Sequence, residues 1–205
     1  MSLVELIARA DARGLAGSGL ACLDRCVPLL DGDDEVLRPL WATLADDAGD
    51  GPGWARGLAQ VRDRLAGPDA EGEDEAVLLA RRMLAAAPDE RSGAAIRAWA
   101  DACSVASLRV HRLLDPATDA ATEAADVRGE EDHTQGRAQG RGQGRGQDRA
   151  EGLSPLVVAE LRRQVTVLEV LAGHGPAGLR RALEVSTEGR RVLRAVVSRR
   201  ARGRG

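Results

Sequence analysis

IRAWADACSVASLRVHRL, residues 96–113, places Ile96, Trp99, Cys103, Ala106, Val110 and Leu113 at alternating spacings of three and four. At 3.6 residues per turn these positions share one side of a helix, so the segment reads as amphipathic with a heptad-like seam. It holds too few heptads for a coiled coil. The expectation is a central bundle helix on which its neighbours in the chain pack.

Toward the N-terminus the same period recurs in short blocks divided by turn residues. Val77, Ala80, Met83, Leu84 and Ala87 follow an acidic run at 69–75 and stop at Pro88; Trp54, Leu58, Val61 and Leu65 follow the glycine-rich turn at 49–53. The run Asp31-Gly32-Asp33-Asp34-Glu35 supplies a turn and then carboxylates for the positive end of a helix carrying Leu37, Leu40, Trp41 and Leu44. Leu20, Leu23, Val27 and Leu30 mark another helix, which Pro28 ends or kinks. Ser2 and Glu5 have capping-box spacing, and Leu3, Leu6, Ile7 and Ala10 give a first helix over about 3–13. Gly14, Gly17 and Gly19 then read as the break before the second.

Toward the C-terminus the periodicity fades from Asp115 and vanishes in TQGRAQGRGQGRGQDRAEG, where nothing is available to bury and a disordered linker is expected. Its RGQGRGQ run resembles RNA-binding RGG segments, but a linker in a GC-rich genome has the same composition. Ser154 and Pro155 suit N-cap and N1 positions, with Leu161, Val165, Leu168 and Ala172 as the expected stripe. A last helix over roughly 176–200 carries Leu179, Leu183, Leu193, Val196 and Val197, with Gly189 as an interruption. The reading is an all-α protein: an acidic bundle of about five or six helices at 1–114, a Gly/Gln/Arg-rich linker at 115–152, and a basic helical hairpin and tail at 153–205.

Composition supports helix over sheet. Lys, Asn, Phe and Tyr are absent and all 29 basic residues are Arg, the bias that a GC-rich, actinobacterial-type genome produces, so Leu, Val and Ala must build the core. Three tryptophans are the only aromatic residues, which leaves few platforms for stacking bases. The N-terminal stretch has neither a basic leader nor an uninterrupted apolar run. No stretch reads as a membrane span, because Glu160, Arg162, Arg163 and Glu169 interrupt the longest apolar region. Three cysteines do not make a disulfide framework. A cytoplasmic protein is expected.

The motifs that carry chemistry are incomplete. Gly173-His174-Gly175-Pro176-Ala177-Gly178 matches G-x-G-x-x-G, but it follows a helical stripe rather than a strand, so it reads as a turn between helices and no cofactor is expected. Cys22 and Cys26 lie one turn apart and, with Cys103 or His111, offer soft metal ligands; their apolar neighbours favour the core instead. The acidic turn at 46–51 starts like a calcium loop, yet Ala48 and Gly57 occupy positions where ligands are needed. His111, placed at a helix edge, His133 and His174 join no acid, base and nucleophile set.

Charge is distributed unevenly. Through Asp132 the chain carries a net −12 and from His133 onward a net +9, within an overall −3. The basic end holds Arg180, Arg181, Arg190, Arg191, Arg194, Arg199 and Arg200 opposite apolar residues of the same helix. These arginines are the expected contact residues for a protein partner, with self-docking onto the acidic body as the competing role. The functional expectation is therefore a non-enzymatic interaction or regulatory protein. The alternative is a nucleic-acid-associated accessory protein using the same helix, and after that an enzyme without a recognisable motif.

Overall fold

The computed structural model describes residues 1–45, 52–67, 74–91, 93–115 and 154–203. The acidic turn at 46–51, the expected linker beyond Asp115, His133 and Arg204 lie outside them. Among the described residues the fold is all-α: α1 (Leu3–Arg9), α2 (Ala12–Cys26), a 3-10 turn (Val27–Leu30), α3 (Arg38–Thr43), α4 (Pro52–Leu65), α5 (Glu75–Ala85), α6 (Gly93–Leu113), α7 (Pro155–His174), a second 3-10 turn (Gly175–Gly178) and α8 (Leu179–Gly203). No helix among them is long and apolar enough to cross a membrane.

The first break falls earlier than the glycines imply. The Ser2–Glu5 capping box opens α1 as expected. The chain then turns at Ala10, and Asp11 Oδ1 accepts the Gly14 N–H at 2.7 Å to cap a new helix. Gly14, Gly17 and Gly19 thus lie inside α2. They permit close approach: a Cβ at Gly17 would stand 2.6 Å from Leu171 Cδ1, and one at Gly19 would stand 2.5 Å from the Trp99 ring.

Consequently α2, rather than α6, is the centre of the bundle. Every residue from Gly14 to Cys26 is buried, and the helix packs against α6, α7 and α8. The expected seam of α6 is present through Ile96, Trp99, Cys103 and Val110, but Ser104, Ser107 and His111 are buried beside it while Ala106 and Leu113 are only partly covered. On α7 the buried face is Val157, Glu160, Gln164, Val167, Leu168 and Leu171, a stripe displaced from the apolar one expected. The displacement brings a carboxylate inward because a guanidinium waits there.

The three tryptophans hold different joints. Trp54 and Trp99 meet edge to face, with centroids 6.1 Å apart and planes at 74°, and donate to the Pro88 and Met83 carbonyls at 2.8 and 2.9 Å. Trp41 stands apart and donates to Asp24.

Arginines from neighbouring elements close several helix C-termini, whose last carbonyls lack intrahelical partners. Arg97 of α6 donates to the Ile7, Ala8 and Ala10 carbonyls after α1; Arg91 and Arg13 reach the Thr43 and Leu44 carbonyls of α3. Arg62 of α4 reaches Ala87 beyond α5, Arg81 of α5 reaches Gly67 beyond α4, and Arg200 of α8 reaches Leu113 at the end of α6.

Candidate functional site

Asp24 and Arg25 are consecutive on the last turn of α2, so their side chains leave the helix about 100° apart. Both are fully buried, and each meets an opposite charge contributed by the C-terminal hairpin.

Arg25 faces α7. Its Nε and Nη2 donate side by side to Glu160 Oε2 and Oε1, both at 2.7 Å, and neither side chain touches solvent. The Glu160 Oε1 atom also accepts from Ser107 Oγ at 2.7 Å and Gln164 Nε2 at 2.9 Å, while Ser104 Oγ donates to the Gln164 amide oxygen. Burial pushes the Glu160 carboxyl up, but Arg25, joined by His111 once that imidazole is protonated at low pH, outweighs it and holds its pKa at about 2. His111 Nδ1 lies 2.7 Å from the Ser107 carbonyl, which assigns its proton there and turns the Nε2 lone pair toward Glu160 Oε2, 3.5 Å away. Burial lowers the His111 pKa against the pull of Glu160. The imidazole is therefore inside a polar cluster, not at the helix edge that the sequence implied.

Cys22, Cys26 and Cys103 are buried free thiols. Burial raises all three pKa values, that of Cys22 to about 12 despite Arg25 beside it, so they are poor nucleophiles at neutral pH. Among the described residues no three His, Cys, Asp or Glu side chains are placed to hold a metal ion. Of the Gly173–Gly178 motif, Gly173 and His174 end α7 and Gly175–Gly178 form the turn into α8, with Gly175 at φ +52°. The assembly is sealed from solvent and most of its polar groups meet one another, while Arg25 Nη1 and His111 Nε2 form no hydrogen bond.

Asp24 faces α8 and a surface cleft. Arg190 Nη1 donates to Asp24 Oδ1 at 2.5 Å and Trp41 Nε1 donates to Oδ2 at 3.3 Å. Burial nevertheless raises the Asp24 pKa above the ordinary carboxylate value. Arg190 is itself 5% exposed; its Nε lies 3.3 Å from Asp34 Oδ1 but forms no hydrogen bond. These buried groups underlie an open cleft of about 320 Å³. Asp34, Glu35 and Arg38 line one side, and Leu183, Thr187 and Arg191 of α8 line the other. No known protein family, curated protein or solved structure matches the chain. The cleft must be read from its own chemistry.

The arginines singled out in the sequence separate into two sets. Arg190 is buried against Asp24, Arg194 is half-exposed and donates to Asp34 and to the Gly32 carbonyl, and Arg200 is spent on Leu113. Arg180, Arg181, Arg191 and Arg199 are exposed, the first two sharing Glu184. Only Arg190 and Arg191 line the cleft. Sequence reasoning passed over Asp24, Trp41 and Glu160; the usable signal was a charge or amide recurring at helical spacing on an apolar side, as Glu160 and Gln164 do.

Proposed function

We propose that the protein is a non-enzymatic interaction or regulatory protein that binds another protein through the outer face of α8. The observation that supports this reading is the division of α8. Leu179, Ala182, Val185, Leu193 and Arg190 fix its inner side, so Arg180, Arg181, Arg191 and Arg199 are held outward on a rigid helix. A charged surface displayed on an ordered element loses little backbone entropy when it docks. Buried free thiols fit a reducing compartment, and we place the protein in the cytoplasm on that ground.

The test is quantitative affinity capture with the wild-type chain and an Arg181→Glu/Arg199→Glu variant, alongside anisotropy of labelled duplex DNA and RNA over a salt series. The expected result is a stoichiometric protein partner that the variant loses without a change in melting temperature. Capture indifferent to the charge reversal would overturn the reading. Nucleic-acid binding that those arginines carry, and that falls steeply with salt, would replace it with the nucleic-acid alternative.

A further inference from the structure

We infer that the cleft between α3 and α8 is a binding site for a short acidic peptide segment, taking a carboxylate between Arg38 and Arg191 and an adjacent apolar side chain against Leu183 and Trp41. The inference deepens the interaction reading above and rests on it only in taking the ligand to be part of a protein.

Three observations carry it. First, the three carboxylates of the cleft are already engaged. Asp24 is taken by Arg190, Asp34 by Arg194 and Arg190, and Glu35 by Arg38, and none of them pairs with the exposed Arg191 on the α8 side. Arg38 spends one nitrogen on Glu35 and keeps its side chain 74% exposed, so it retains donors for a second carboxylate. A carboxylate entering between the two guanidinium groups, one from each wall, meets complementary charge on both sides.

Second, the base of the cleft is rigid and mixed in character. Trp41 is 5% exposed and pinned by its bond to Asp24, which Arg190 also grips. Leu183 adds apolar surface beside it. An aromatic and an aliphatic side chain in a cleft that also carries two exposed arginines suit an apolar residue flanked by acidic ones.

Third, the size is small. A volume of about 320 Å³ lies at the lower end of ligand pockets, enough for one or two side chains rather than a folded domain. Specificity then comes from the sequence of a peptide and not from the shape of a large surface.

Heteronuclear NMR of the whole chain provides the test, because Trp41 is the only tryptophan lining the cleft and Trp41→Phe assigns its indole signal. The probes are a blocked pentapeptide alternating Glu and Leu, the same peptide with Gln in place of Glu, and sodium propionate. The expected result is a saturable movement of the Trp41 indole and Thr187 amide signals with the acidic peptide, at a Kd of about 1 mM or tighter. Trp54 and Trp99 should stay in place, and the Gln peptide should be much weaker. Arg191→Ala and Arg38→Ala should each weaken binding roughly threefold or more without a change in melting temperature. Absence of saturable shifts, equal binding of the Gln peptide, or affinity untouched by both variants would overturn the proposal. Propionate binding as tight as the peptide's would also overturn it, by reducing the site to a carboxylate trap. Because Arg181 and Arg199 lie outside the cleft, partner capture that ignores their reversal while the peptide still binds would remove the α8-face reading and leave this one standing.

Discussion

At the residue scale, the buried Arg25–Glu160 pair makes a directional claim about stability. Removing one partner strands the other charge, so Glu160→Ala should cost about 3–5 kcal/mol in urea unfolding. The double replacement Arg25→Met/Glu160→Met removes both charges and should cost far less, since desolvation offsets most of what such a pair contributes. Equal losses in the two variants would mean that Arg25 finds another partner. Gly189 sets up a second contrast. A glycine inside a helix is ordinarily about 1 kcal/mol less stable than alanine, and at Gly173, where a Cβ meets nothing within 4 Å, Gly→Ala should recover part of that. At Gly189 a Cβ would overlap the Arg25 and Arg163 side-chain stems, and alanine should instead destabilise by about 1–3 kcal/mol. Thermal unfolding of the two variants should move in opposite directions.

At the element scale, helix ends are held by arginines from other helices. Arg97→Met keeps the aliphatic stem but frees the Ile7, Ala8 and Ala10 carbonyls, so α1 should fray at a cost of about 1 kcal/mol. Faster amide hydrogen exchange confined to residues 3–10 would register it. These caps also show what the sequence disclosed and what it hid. The all-α class, α4, α5 and the Ser2 and Ser154 caps were legible because spacing, turn residues and caps are local properties. The unbroken course of α2 was not, since Gly14, Gly17 and Gly19 are indistinguishable from a loop until Trp99 and Leu171 are seen pressing on the backbone. Nor was the cleft. Asp24, Trp41 and Arg190 come from three elements, and a buried ion pair looks in sequence like two solvated charges. The exposed arginines of α8 read the same way as Arg190, because only the position of Asp24 tells them apart.

At the scale of the whole molecule, the buried polar groups make the fold acid-sensitive. His111 titrates below its ordinary 6.5, so under pH 6.5 the unfolded chain gains a proton that the folded one refuses, and stability falls. Glu160, at about 2 against 4.5 unfolded, continues the loss as pH drops below 4.5. Asp24, raised above 3.8, works in the opposite sense just above that value. Urea midpoints should therefore decline from pH 6.5 downward, and His111→Gln should lack the upper part of that decline; an unchanged profile would show that His111 does not titrate in this window.

The ion pairs that lock α2 also impose a timetable. Arg25 and Glu160 are 135 residues apart and Asp24 and Arg190 are 166 apart. At about 5–20 residues per second of synthesis, Arg190 leaves the ribosome on the order of ten to thirty seconds after Asp24. Throughout that interval the helix destined for the middle of the protein has no C-terminal hairpin to cover it. The side of α2 that α7 and α8 will cover is open to chaperones and proteases, and any premature stop before the hairpin releases a chain in which that side faces water. Emergence of the hairpin is thus the step that closes this molecule.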